Sequence, residues 1–161
     1  MMNYEVIKKI EAAIEKINYA NVGNKYADYI YKDYMFELIL YKYLSNKQIE
    51  FLEKNNFTKK DIENLKEDNI EVVEYIQINI GYYIEYKNLF STWIEIGIDF
   101  DVSNVLDALS AFNRLTYKYQ QEAFHGVFDT LHTRMHKLEL LTVDVTKIIN
   151  ELIYLIKNVE I

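Results

Sequence analysis

No proline occurs anywhere in this chain of 161 residues, where average usage would supply roughly eight. Glycine is confined to Gly23, Gly81, Gly97 and Gly126. Proline removes a backbone donor and glycine frees the backbone, so together they end helices and build tight turns. A chain this poor in both favours long helices with few connections. It disfavours a sandwich of many short strands.

The apolar spacing agrees. Over 3–18, Val6, Ile7, Ile10, Ile14 and Ile17 form one helical stripe. Residues 25–44 read as a second helix whose apolar set is wide: Ile30, Tyr34, Met35, Leu38, Ile39 and Tyr41. Ser45 is placed to cap a further short helix. Thr58 with Asp61 three residues on has the spacing of a capping box. These signals give a helical hairpin over about 46–67.

In 71–97, Ile76, Ile78 and Ile80 alternate with Gln77, Asn79 and Gly81 as a strand would. Yet Val73, Ile76, Ile80, Tyr83, Phe90 and Ile94 fall near one helical stripe, and no other region offers a partner strand. One long helix ending at Gly97 is expected. Asp101 or Ser103 should cap the next, running from about 104 to 140 with a bend near 117–121. Thr142 or Asp144 should end it before the closing helix. The expected fold is all-α: a bundle of about five to six helices, two of them long, as a single domain over 1–161.

The absence of cysteine removes disulfides, thiolate metal sites and cysteine nucleophiles. The start of the chain is charged every few residues, and no apolar run approaches the roughly 18 residues of a membrane span. A cytoplasmic protein without a membrane partner is expected. Net charge is −7, the lysines are scattered, and Arg114 and Arg134 are the two arginines. That balance argues against nucleic acid and suits a protein partner with a basic surface.

All three histidines lie between residues 125 and 136. On one helix His125, Asp129, His132 and His136 would share a face, and Glu122 and Glu139 would extend it. These side chains are ligand types for zinc, manganese or iron. Glu122 and His125 also form one copy of the Glu-x-x-His pair that di-iron bundles carry twice. The zinc-protease pattern His-Glu-x-x-His is absent. Phe124, Val127, Phe128, Leu131, Met135 and Leu138 form the apolar face of the same segment. The histidines then border a core, with no cofactor. A His/Asp metal site is the alternative.

Between Lys87 and Arg114 there is no basic residue, while Glu95, Asp99, Asp101 and Asp107 are acidic. Asp99, Asp101 and Ser103 open like a calcium loop, but Asn104 and Ser110 stand where its glycine and glutamate belong. An acidic patch able to bind a basic partner is expected instead. The arginine and histidine pair of HEPN-type helical RNases is not reproduced by Arg114 or Arg134. Fifteen tyrosines exceed what one small core can bury with hydroxyls satisfied, so some belong at a surface or a subunit contact.

The sequence therefore reads as a non-catalytic, acidic, Tyr-rich helical protein acting by protein–protein interaction. Inhibitors, immunity proteins and anti-defence factors of AT-rich mobile elements are of this kind. Two readings stand beside it: a helical-bundle metal-binding protein, and a homo-oligomeric structural component.

Overall fold

The computed structural model describes residues 4–19, 28–97, 100–139 and 145–161. Side chains at 17–19, 28–33, 120–122, 134, 136–139 and 145–148 are outside that description. In chain order the helices are α1 (Tyr4–Tyr19), α2 (Asp28–Lys54), α3 (Lys59–Glu63), α4 (Ile70–Ile80), α5 (Phe90–Ile96), α6 (Val102–Arg114), α7 (Gln121–Phe124), α8 (Asp129–Glu139) and α9 (Val145–Ile156). Short 3-10 turns occupy Tyr86–Asn88 and Lys118–Gln120. The fold is all-α as expected, with no strand among the described residues, but cut into more segments than the five to six anticipated.

The axis of the molecule is α2. Its 27 residues span roughly 40 Å at 1.5 Å per residue, and α1, α5, α8 and α9 pack against it. Tyr34, Met35, Leu38, Ile39, Leu40, Tyr41 and Leu44 are all buried. They point in every direction around the helix, as an interior helix requires. On α1 the expected stripe buries Val6, Ile10 and Ile14, with Ile7 half-buried.

Ser45 does not cap a new helix. It is buried in the middle of α2, where its hydroxyl accepts a hydrogen bond from the Phe90 N–H at 3.2 Å. The first arm of the expected hairpin over 46–67 is thus the end of α2. The chain turns at Asn56 (φ 66°). Thr58 and Asp61 then form the expected reciprocal cap on α3, at 2.7 and 3.1 Å.

The single long helix expected over 71–97 is broken. Helix α4 stops at Ile80, and Gly81 takes the left-handed conformation (φ 93°) while its N–H still bonds Gln77 O. Residues 82–85 leave the helix, and their buried backbone needs other partners. Side chains of α2 supply them. The Gln48 amide donates to Ile84 O and accepts from Ile84 N–H, both at 2.7 Å. The Tyr41 hydroxyl donates to Asn88 O at 2.7 Å. Tyr82 donates back to Leu44 O at 2.8 Å. Tyr41, Ser45 and Gln48 stand at i, i+4 and i+7, one face of α2. Gly97 does end a helix, the short α5.

The segment so held seats Trp93 parallel to Tyr41, with ring centroids 4.7 Å apart. Tyr41 in turn meets Phe112 and Phe128 edge-on. Lys42, the next residue on α2, donates to the carbonyls of Ile156, Lys157 and Val159 at 2.6–2.9 Å and so caps the end of α9. Thr142 and Asp144, and residues 20–27 between the first two helices, lie outside the described residues.

Replacing Gln48 by leucine leaves the Ile84 N–H and C=O buried without partners. The expected cost is about 2–6 kcal/mol, from 1–3 for each group, read as a lower midpoint in urea denaturation with an unchanged slope. Burial raises the phenols of Tyr41 and Tyr82 above their ordinary value of 10.0. Above that pH the unfolded chain loses protons that the folded chain keeps, so stability falls as pH rises. Thermal melts should hold steady up to about pH 10 and decline beyond it, with Tyr41→Phe reducing the decline.

Candidate functional site

The helix expected over 104–140 is also interrupted. Asp101 caps α6 as anticipated, accepting from Ser103 N–H at 2.7 Å, while Asn104 returns a bond to Asp101 N–H at 2.8 Å. Helix α6 ends at Arg114, and residues 125–128 form a turn between α7 and α8, with Gly126 at φ 74°. His125 therefore lies in the turn before α8, outside the helix that carries Asp129, His132 and His136. The four residues do not share one helical face.

His125 and His132 face different residues of α6. The His125 Nδ1 lies 3.2 Å from Asn113 Oδ1, which also accepts the Gly126 N–H at 2.7 Å. The His132 Nε2 lies 3.1 Å from the Ser110 hydroxyl. Between these contacts is a crevice of about 190 Å³ lined by Ser110, Asn113, Asp129 and His132 over Leu109 and Phe128. Phe128, Leu131 and Met135 are buried beneath it, while His125 and Asp129 are exposed. The His136 side chain is outside the described residues. Among those described, no three His, Asp or Glu side chains converge as metal ligands.

The crevice sets a hydroxyl against an imidazole, the first element of nucleophilic catalysis. Ser110 sits inside α6, where the helix ladder engages its own N–H. That differs from the exposed strand-to-helix turn that presents a serine nucleophile beside free N–H groups. The seam joins α6 to the α7–α8 turn, with the histidines as its rim.

Of the expected acidic patch, Asp101 serves as the α6 cap and Glu95 accepts from the Tyr86 hydroxyl at 3.0 Å. Asp107 is exposed on α6, and Asp99 lies outside the described residues. A second set precedes it on the chain. Asp68, Glu71 and Glu74 are exposed on and before α4, which holds no basic residue. No ion pair among the described residues engages Asp68, Glu71, Glu74, Glu95, Asp101 or Asp107. Glu67 is paired with Arg114 and Glu85 with Lys87.

The tyrosines divide largely as satisfaction of their hydroxyls requires, although the buried Tyr83 hydroxyl meets no partner among the described residues. Tyr41 and Tyr82 are buried and bonded to backbone carbonyls. Tyr4, Tyr75, Tyr119 and Tyr154 are exposed. Tyr75 belongs to a cluster that sequence reasoning missed: Ile70 and Ile78 share its helix and are 66% and 58% exposed. The signal was present. Both isoleucines fall off the stripe formed by Val73, Ile76 and Ile80.

Comparisons with known protein families, curated proteins and solved structures find no match for this chain.

Gly126 occupies a left-handed turn, and a Cβ there would meet the Asp129 carboxylate at 2.9 Å. Gly126→Ala should cost about 1–2 kcal/mol through the left-handed backbone. The expected fall in Tm is roughly 2–8 °C, seen by calorimetry.

Proposed function

We propose that this protein acts without catalysis, by binding a partner protein whose contact surface is basic. The observation that carries the reading is that the exposed carboxylates Asp68, Glu71, Glu74, Glu95, Asp101 and Asp107 enter no ion pair among the described residues. Clustered charge of one sign raises the local potential, attracts an opposite surface and repels a like one. Glu71 and Glu74 sit on α4, Glu95 on α5 and Asp107 on α6, so the partner meets a surface whose helical backbone is already ordered, which lowers the entropic cost of binding. Inhibitor, immunity and anti-defence roles all fit such a protein. No helix among the described residues is long and apolar enough to cross a membrane.

The test begins with capture of the partner from the native host and its identification by mass spectrometry. Its affinity is then measured by calorimetry across a salt series. Binding should weaken about tenfold or more between roughly 50 and 500 mM NaCl, because exposed charges are screened over that range. Glu95→Lys with Asp107→Lys should weaken it further at low salt. Affinity indifferent to salt would refute the proposed mechanism.

A further inference from the structure

Three of the six large hydrophobic side chains exposed among the described residues fall on α4, a helix of 11 residues: Ile70, Tyr75 and Ile78. The other three, Tyr4, Tyr119 and Tyr154, lie on separate segments. The inner face of α4 is occupied, with Val73 and Ile76 buried. Its outer face is therefore a second apolar face.

Residues 71, 74, 75 and 78 stand at i, i+3, i+4 and i+7, and Ile70 is one turn before Glu74. The result is an outer face about 12 Å long at 1.5 Å per residue, with Glu74 set between Ile70 and Ile78 and Glu71 between Ile78 and Tyr75. Tyr75 is fixed by its hydroxyl bond to Asn55 Oδ1 at 3.0 Å and by stacking on Phe57. Near the N-terminal end of this face is a hollow of about 300 Å³ whose polar lining is Asn55, Asn56, Asn64 and Asn69 with Asp61 and Lys66. Asn55, Asp61 and Asn69 already accept from Tyr75, Thr58 and Val72, so the amide oxygens of Asn56 and Asn64 are the acceptors it offers to an ammonium or guanidinium.

We propose that the outer face of α4 is the docking surface for a basic amphipathic helix of the partner, its apolar side chains on Ile70, Tyr75 and Ile78 and its lysines or arginines on Glu71, Glu74 and the amide hollow. This rests on the acidic-surface reading above and gives it a location. Charge decides the occupant. A second copy meeting this face about a two-fold axis would set Glu71 and Glu74 against an equally acidic rim, and like charges across an interface repel. A single helix face is also well short of the roughly 800 Å² that each partner contributes to a standard interface. A lone helix laid along such a face needs less and is a common recognition mode.

The probe is a synthetic amphipathic helix of leucine and lysine, about 14 residues long, with a leucine and glutamate helix as control. Binding to the full chain is read by fluorescence anisotropy and mapped by amide hydrogen exchange. The lysine peptide should bind, protect the segment 69–80 and lose about tenfold or more in affinity with Ile70→Ser and Ile78→Ser. Glu71→Lys with Glu74→Lys should weaken it similarly, while the matched reversal Glu11→Lys with Glu15→Lys on α1 changes it less than about twofold. The glutamate peptide should not bind. Failure of the lysine peptide to bind, or equal loss from the two reversals, overturns the α4 site. So does a concentration-dependent dimer by light scattering that Ile70→Ser and Ile78→Ser abolish. If the natural partner binds with the expected salt dependence but ignores the α4 variants, the site falls and the acidic-surface reading stands. If its affinity ignores salt, that reading falls instead.

Discussion

The fold depends on the side-chain amide of Gln48. It lies fully buried on α2 and meets both backbone groups of Ile84, as a neighbouring strand would. A helix has no free backbone groups along its middle, so only side chains can serve an extended segment laid against it. Tyr41, Ser45 and Gln48 do this for Asn88, Phe90 and Ile84. Without them, the route from Gly81 to α5 would bury unpaired amides at a cost of 1–3 kcal/mol each, on the order of the whole stability of a domain when summed. The same stitching places α5 so that Trp93 lies on Tyr41, and α4 so that it turns away from α2 once its inner face is covered.

How much of this was legible follows from where the information resides. The helical class was readable because the periodicity of α1 and the caps at Thr58 and Asp101 are local, and each holds in the structure. The end of α4 was not. Val73, Ile76, Ile80 and Tyr83 fit one helical stripe, and Val73, Ile76 and Tyr83 are indeed buried while Ile80 is half-buried. A continued helix and a helix followed by an extended segment bury much the same residues. What separates them is whether the polar groups of Ser45 and Gln48 find partners, and those partners are 36 to 45 residues away along the chain. Ser45 misled for the same reason: a serine after an apolar run looks like a cap unless a distant N–H claims it.

Scarcity of proline and glycine limited turns less than composition suggested. Asn56, Gly81, Gly97 and Gly126 each take a positive φ, and each lies at or close to the end of a helix or a change of direction. Residues 82–88, by contrast, are held out of helix by tertiary hydrogen bonds, which carry no local sequence signature. The histidines show the consequence. Their spacing describes one helical face only if the helix is continuous, and Gly126 interrupts it. Asn113, unremarkable in sequence, then fixes the turn and engages His125. The exposed acids were more legible, since no element demanded their burial, but the outer face of α4 appears only once the inner face is known.

The distribution of cations links the core to the surface. Lys42, the buried lysine of α2, directs its three N–H donors at backbone carbonyls of the α9 terminus. Burial lowers its affinity for the proton, while three carbonyls and the negative end of the α9 dipole favour the ammonium. Arg114 is committed to Glu67 and also draws on Glu85, whose carboxylate holds the Glu67 N–H. Both cations thus consolidate the packing of elements around α2 instead of neutralising the outer faces of α4 and α6. Glu71 and Glu74, which stand among the exposed isoleucines, are among the carboxylates left without an ion pair, and in that combination water is a poor partner for the apolar side chains and a basic amphipathic surface is a good one.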